Sequence, residues 1–145
     1  MKTNGGFLVT KIKQLGDRIF ERILAEKNID AFNGAQGRIL YVLWQEDGVP
    51  IKIISEKSGL AITSLTTMLE RMEKNGLISR KTDEADKRNT LLFLTDKAKE
   101  LKEAYDSVSN EMGNIYYRDF TDKEILQFEE YLNRIRVNLE EWSDK

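Results

Sequence analysis

The stretch that decides the fold is residues 59–95, GLAITSLTTMLERMEKNGLISRKTDEADKRNTLLFLT. Its first part predicts an amphipathic helix over residues 61–75, because apolar side chains recur at i, i+3, i+4 and i+7. Gly76 then stands where a residue of positive φ commonly ends a helix. The apolar stripe of this predicted helix consists of Leu65, Met68, Leu69 and Met72.

A β-hairpin is predicted directly after this helix. Residues 77–82 and 90–94 are short β-prone runs, and the charged segment between them suits a hairpin loop. On the other side, Pro50 is suited to the first turn of a short helix over residues 51–57. Together, the short helix, the turn at residues 58–60, the longer helix and the hairpin form the outline of a winged helix-turn-helix.

This stretch resembles the core of the MarR family of bacterial winged helix-turn-helix transcription regulators. The most specific part is Asp86-Lys87-Arg88 with the apolar strand that ends in Leu94-Thr95, which is similar to the Asp-x-Arg wing signature of that family. The other similar positions are Ile53, Ile54, Gly59, Leu60, residues 64–66, residues 69–78, Arg80, Leu92 and Phe93.

The resemblance extends over nearly the whole chain and implies a mainly α fold with a small β-hairpin wing. It implies a single MarR-like domain over residues 1–145, with a DNA-binding core at residues 35–95. A helical dimerisation region would comprise residues 7–30 and 96–143. In this family a short β-segment joins the hairpin, and Val49 is the expected contributor.

Amphipathic helices are predicted on both sides of the core, over residues 7–26 and 96–118, and the core itself begins with a helix over residues 35–45 that is rich in large apolar side chains. A last helix begins after Thr121, which forms a Thr-x-x-Glu capping box with Glu124. Its apolar residues recur in steps of three and four, a pattern that favours a partner helix. They are Ile125, Phe128, Leu132, Ile135, Leu139 and Trp142.

The resemblance implies a homodimer in which the first helix and the two last helices interlock across a two-fold axis. The alternative is a monomer that folds on itself. The side chains expected at the dimer interface are Leu8, Ile12, Leu15, Phe128, Leu132, Ile135, Leu139 and Trp142.

The amino-acid composition argues against several classes of function. The 145 residues contain no cysteine, which excludes disulfides, thiolate metal sites and thiol-based redox sensing. They contain no histidine, so the commonest general base and zinc ligand are absent. We therefore expect no enzymatic activity, no metal and no cofactor, although a site built from carboxylates or lysines is an open alternative.

The longest apolar run, residues 39–44, is too short to cross a bilayer. No apolar signal-peptide core follows Lys2. These features predict a cytoplasmic protein that has no membrane partner.

The net charge of −2 argues mildly against nucleic-acid binding, but the distribution of charge matters more than its sum. Six cations lie between Arg71 and Thr90, whereas the last helix is acidic. An acidic body with a locally basic surface fits a DNA-binding protein. The cations of this region are Arg71, Lys74, Arg80, Lys81, Lys87 and Arg88.

The helix over residues 61–75 is the predicted DNA-contacting helix. Hydroxyl groups can bond phosphates or base edges, and a threonine methyl group can meet a thymine methyl group. The alternative is a solvated face, although such faces favour Glu, Lys or Gln over β-branched residues. Ala61 and Thr67 depart from the family, which often has a capping Ser or Asp and an arginine there. The hydroxyl residues expected to contact DNA are Thr63, Ser64, Thr66 and Thr67.

Arg88 is the strongest candidate on the wing, because an arginine at a wing tip can insert into a minor groove. Asp86 can pair with the guanidinium group and hold it in place, and the resemblance implies the same role. Lys87 and Asn89 are expected near phosphates. Two further cations, Arg71 and Lys74, either contact the DNA backbone or pair with Glu70 and Glu73.

The resemblance implies a repressor of nearby genes that binds a pseudo-palindromic operator in double-stranded DNA. Two-fold symmetry predicts half-sites about 34–36 Å apart. Release by a small aromatic or anionic effector follows from the family alone. The residues considered for an effector space, each with a core role as the alternative, are Phe32, Tyr41, Trp44 and Tyr105. The alternative function is a winged-helix protein–protein interaction module that does not bind DNA.

Overall fold

The computed structural model describes residues 1–145 and contains seven helices and three short strands. The chain forms two compact units, residues 1–110 and 111–145. No helix is at once long enough and apolar enough to traverse a lipid bilayer. The elements are α1 (Gly5–Glu26), α2 (Gly34–Gln45), β1 (Val49–Pro50), α3 (Ile51–Ser58), α4 (Ile62–Lys74), β2 (Ile78–Thr82), β3 (Thr90–Leu94), α5 (Asp96–Lys99), α6 (Lys102–Tyr116) and α7 (Asp122–Ser143).

The three strands form one antiparallel sheet in the order β1-β3-β2. In the hairpin Ile78 pairs with Leu94, and the register continues to the pair Thr82–Thr90. Val49 pairs with Leu92 on the other edge of β3, so the predicted β-segment is confirmed. The mainly α winged helix-turn-helix predicted from the sequence is therefore confirmed.

The core of the first unit gathers the apolar faces of α2, α3, α4 and the sheet. The predicted stripe of α4 faces inward, because Leu65, Leu69 and Met72 have no exposed surface. Ile54 of α3 is equally buried. The other fully buried large side chains of this unit that line the same core are Ile39, Leu40, Leu43, Leu77, Ile78 and Leu92.

The junction between α1 and α2 is held by polar groups. The Gly34 backbone N–H, which has no partner within its own helix, donates to the carboxylate of Glu21 at 2.6 Å. Asn33 and Gln36 form a reciprocal capping box at the same helix end. These bonds thereby join α1 to the N-terminus of α2.

The helix predicted over residues 96–118 is interrupted, so this boundary was wrong. The structure has a turn at Glu100 and Leu101 between α5 and α6. The carbonyl oxygen of Ala98 accepts from the Leu101 N–H at 3.1 Å and from the Trp44 indole Nε1–H at 3.2 Å. A side chain that takes a carbonyl of the helical ladder is a recognised cause of helix breaks.

The second unit contains the end of α6 and all of α7. The predicted capping box is present, because the Glu124 N–H donates to Thr121 Oγ1 at 3.1 Å and the Thr121 N–H donates to Glu124 Oε1 at 2.9 Å. The Tyr117 hydroxyl donates to the Glu129 carboxylate at 2.6 Å. Desolvation, followed by this carboxylate, raises the pKa of Tyr117 to about 12. No residue of α7 is buried.

Two glycines with positive φ provide a stability test. Gly48 has φ +71°, and a Cβ there would lie 2.6 Å from Cε1 of Phe93. Gly59 has φ +74°, with nothing within 4 Å of such a Cβ. We expect Gly59→Ala to cost about 1–2 kcal/mol from its backbone conformation alone. Gly48→Ala should cost about 1–3 kcal/mol more, because the Phe93 ring must move.

Urea denaturation of both variants at equal protein concentration measures this difference in the free energy of unfolding. Gly59→Ala is the matched control, because it carries the same backbone penalty without the steric one. Equal losses in the two variants would contradict packing of Phe93 against Gly48.

Candidate DNA interface

The turn between α3 and α4 is fixed by short-range hydrogen bonds. Gly59 adopts the left-handed conformation after α3, which favours glycine. Ser55 Oγ donates to the Leu60 carbonyl oxygen at 2.7 Å, and Ser58 Oγ accepts from the Leu60 N–H at 3.2 Å. These bonds determine the direction in which α4 leaves the turn.

The N-terminus of α4 carries no side-chain cap, because Ala61 occupies the N-cap position. The first amide groups of the helix are therefore available to a phosphate oxygen, which the helix dipole also favours. The four hydroxyl residues predicted to contact DNA are all exposed in the first two turns of this helix. They are Thr63, Ser64, Thr66 and Thr67.

Arg71 and Lys74 are exposed and form no ion pair. The alternative, in which they pair with Glu70 and Glu73, is absent from the structure. Glu73 instead pairs with Arg80 of β2, with 3.3 Å between Oε1 and Nε. Thr67, Arg71 and Lys74 lie at i, i+4 and i+7, so one side of α4 presents two unpaired cations.

The wing loop is shaped by its two aspartates. Asp83 Oδ1 accepts from the Ala85 N–H at 2.9 Å, and the Asp83 N–H donates to the Asn89 carbonyl oxygen at 3.0 Å. Asp86 Oδ1 accepts from the Arg88 N–H at 3.2 Å. Asn89, predicted to lie near a phosphate, is exposed at the end of this loop, and so is Lys87.

The Arg88 side chain is held by Asp86 but remains 89% exposed. Its Nε–H donates to Asp86 Oδ1 at 2.9 Å and its second amino group donates to Oδ2 at 3.0 Å. A bidentate pair of this kind restricts the rotation of the guanidinium group. Arg88 is thus presented to solvent in one orientation, with its remaining N–H groups unused.

Two further contacts support the base of the wing. Lys81 Nζ lies 5.2 Å from the centre of the Phe93 ring, a cation–π distance. Phe93 in turn packs against Gly48. The Asp47 carboxylate accepts from the Leu94 N–H at 2.8 Å. The hairpin is therefore anchored at its root, while its tip consists of exposed charged residues.

The aromatic residues considered for an effector space pack against one another. Tyr105 is the centre of the group, with its ring 5.3 Å from that of Trp44 and 6.1 Å from that of Phe32. Tyr41 and Phe20 complete the cluster at 5.7 and 6.0 Å. Burial, and secondarily the negative charge of an ionised Tyr41, raises the pKa of Tyr105.

One exposed residue of this surface was missed by the sequence analysis. Ile62 is the first residue of α4 and is 53% exposed. It lies three residues before Leu65 and seven before Leu69, which is the spacing of a core position. Sequence spacing therefore gives no signal for its exposure, which follows from its place at the very start of the helix.

The ion pair at the wing tip predicts a titration. The pKa of the Asp86 carboxyl is lowered below its ordinary 3.8, first by the side-chain hydrogen bond from Arg88 and then by the backbone hydrogen bond from Arg88. Because the folded pKa is depressed, the stabilisation is complete above pH 3.8 and is lost as the pH falls through the lowered value. Arg88→Gln should raise the pKa of Asp86 towards 3.8.

The carboxyl ¹³C chemical shift of Asp86, followed by NMR from pH 2 to pH 6, measures this change. Lys87→Gln is the matched control, because it removes a neighbouring cation that makes no ion pair with Asp86. An identical pKa in wild type and Arg88→Gln would show that the pair does not form in solution.

Known proteins share both the sequence pattern and the fold. Residues 32–90 match the model of the MarR family. The chain is 36% identical over 77 residues to the HTH-type transcriptional regulator TtmR of Methylorubrum extorquens, covering 53% of this chain and 40% of that relative. It is 42% identical over 64 residues to the organic hydroperoxide resistance transcriptional regulator of Bacillus subtilis, covering 44% of each chain. The matched segments thus span less than half the length of these two relatives.

Two solved structures share the fold over almost the full chain. A mutant MarR from E. coli, complexed with operator DNA, has a TM-score of 0.79 at 22% identity, covering 90% of this chain and 91% of that one. A MarR transcriptional regulator from Methanosarcina mazei has a TM-score of 0.77 at 22% identity, covering 97% and 96%. These two structures show that the chain has the fold of MarR proteins, and residues 32–90 are similar in sequence to that family.

Proposed function

We propose that this protein is a sequence-specific DNA-binding transcription regulator. The observation that carries the proposal is the pairing of an exposed hydroxyl-rich helix, α4, with an arginine held outward at the wing tip. Arg88 is 89% exposed although Asp86 binds it at two points. MarR family regulators bind operator DNA and are not enzymes, which agrees with this arrangement.

In the proposed complex α4 enters the major groove and Arg88 enters the adjacent minor groove. Arg71 and Lys74 make phosphate contacts, because both are exposed and unpaired. Lys87 and Asn89 contact the backbone next to the wing. A pseudo-palindromic operator follows from the two-fold symmetry of a dimer. Binding there blocks transcription of nearby genes, and the protein acts in the cytoplasm.

We propose a small aromatic or anionic molecule as the effector that releases the DNA. The relative from B. subtilis is named for organic hydroperoxide resistance. This chain has no cysteine, so it cannot respond to a peroxide through a thiol. In the aromatic cluster around Tyr105 only Phe32 is buried, whereas Tyr41 is 47% exposed, and no ligand residue is assigned within it.

The alternative is a winged-helix protein-binding module. Its only support is the net charge of −2. This support is weak, because DNA phosphates are neutralised by local cations and do not require a positive net charge of the whole protein. The exposed cations of α4 and the wing favour DNA.

Arg88→Ala tests the proposed function. We expect it to weaken binding to a preferred duplex by about 1–3 kcal/mol and to reduce the salt slope, because a groove-inserted cation is lost. Affinities are measured by fluorescence anisotropy across a salt series, with a duplex selected from a random library. Arg118→Ala is the matched control, since Arg118 is 85% exposed and also lies near a carboxylate, that of Asp119.

Loss of affinity in both variants would indicate a general charge effect instead of a wing contact. Failure of the wild type to select any sequence, together with weak and uniform binding to all fragments, would overturn the proposed function. A search for a protein partner would then be the next step.

We propose that the regulator is a homodimer formed through α1 and α7. α7 has an apolar stripe but no buried residue, which is unfavourable for an isolated helix in water. The predicted interface residues of α1 are also exposed. The exposed members of the two stripes are Leu8, Ile12, Leu15, Phe128, Leu132, Ile135, Leu139 and Trp142.

Leu139→Asp tests this assembly. Leu139 is 64% exposed in the single chain, so the substitution should leave the fold of a protomer intact and shift the protein to a monomer. Sedimentation velocity measures the change. Leu126→Asp is the matched control, because Leu126 lies on the same helix, is 71% exposed and falls outside the stripe. A monomeric wild type, or equal behaviour of both variants, would contradict the proposal.

A further inference from the structure

An exposed isoleucine begins the helix proposed to enter the major groove. Ile62 is the first residue of α4, and 53% of its surface is exposed. The N-terminal residues of a recognition helix are the ones that contact base edges. An aliphatic side chain at this place offers neither a hydrogen-bond donor nor an acceptor, so its contact with DNA must be apolar.

Thr66 extends this apolar surface by one helical turn. Its hydroxyl donates to the Ile62 carbonyl oxygen at 3.3 Å, so the hydroxyl hydrogen is used within the helix. The side chain is exposed, and it has left for new contacts its methyl group and the acceptor lone pairs of the hydroxyl oxygen, but no donor. Because residues at i and i+4 lie one above the other, Ile62 and Thr66 form a continuous methyl surface.

The chemistry of the major groove identifies the partner of this surface. Thymine presents a C5-methyl group there, whereas cytosine presents an amino group and no methyl. We propose that Ile62 and Thr66 recognise the C5-methyl groups of thymines in each operator half-site. This inference rests on the proposed function and adds to it the class of base that α4 selects.

The same surface also discriminates against other bases. A polar base edge covered by Ile62 would lose its water without gaining a hydrogen bond, which is unfavourable. A thymine methyl loses nothing of this kind and gains from the removal of apolar surface from water. The preference therefore has an attractive and a repulsive part, as specificity generally requires.

The test replaces thymidine by deoxyuridine, which removes only the C5-methyl group. The full-length protein first selects duplexes from a random library, and each thymidine of the selected duplex is then replaced in turn. At one or two positions in each half-site we expect binding to weaken about fourfold per methyl, the effect of burying one such group. Replacements elsewhere should have no effect.

Substitutions in α4 identify the residues responsible. Ile62→Ser should reduce the difference in affinity between the thymidine and deoxyuridine duplexes, because only the Thr66 methyl remains, whereas Ile62→Val should retain the full difference. At Thr66 the pair Thr66→Ser and Thr66→Val separates the two groups of the side chain. Thr66→Ser keeps the hydroxyl and loses the methyl, and it should reduce the discrimination; Thr66→Val keeps the methyl and should preserve it.

The outcomes distinguish this inference from the proposed function. Selection of a defined sequence without any effect of deoxyuridine, or with an effect that is unchanged in both Ile62→Ser and Thr66→Ser, would overturn the methyl contact and leave DNA binding intact. Selection of no sequence at all would overturn the proposed function and this inference with it.

Discussion

The hydroxyl group of Thr95 is the contact on which the geometry of the winged helix depends. It donates to the Gly76 carbonyl oxygen at 2.6 Å and accepts from the Ala98 N–H at 3.2 Å. The Thr95 N–H donates to the Leu77 carbonyl oxygen at 3.2 Å. One residue thus joins the end of α4 to the end of β3 and caps α5. Because the two ends are tied together, the helix and the wing keep a fixed relation, which the proposed contacts with two separate grooves of one duplex require.

Charge in this molecule acts through local pairing. Asp86 accepts two hydrogen bonds from the Arg88 guanidinium group and so fixes its orientation. Glu73 pairs with Arg80, which leaves Arg71 and Lys74 without a carboxylate partner. An exposed ion pair contributes at most about 1 kcal/mol to stability. The importance of these pairs therefore lies in which cations they leave unpaired on the surface. This explains how a chain with a net charge of −2 can present a basic surface.

Most of the fold could be predicted from the sequence because its signals are local. The stripe of α4, the capping box of Thr121 and the strand 90–94 each depend on residues within one or two turns. The break at Glu100 depends on Trp44, which lies 54 residues before Ala98 in sequence, and no local pattern reports such a contact. For the same reason the sequence did not predict the ion-pair partner of Glu73. Arg80 comes close to Glu73 only because the chain reverses direction between α4 and β2. In the candidate site, the pairing of Asp86 with Arg88 could be predicted because a sequence motif contains both residues. The exposure of Ile62 could not be predicted, because its spacing is that of a core position.

Position 67 of α4 is a threonine and not an arginine, which limits the ways in which this helix can recognise a DNA sequence. A bidentate arginine on a recognition helix selects guanine, and α4 has none within its first two turns. What α4 offers instead is the apolar surface of Ile62 and Thr66, which matches thymine. Insertion of Arg88 as proposed would favour the same composition by a separate route, because a narrow minor groove over A·T pairs has the more negative potential and attracts an arginine. In the proposed complex, two contacts in different grooves, one apolar and one electrostatic, would therefore favour A·T-rich half-sites without a bidentate arginine–guanine contact.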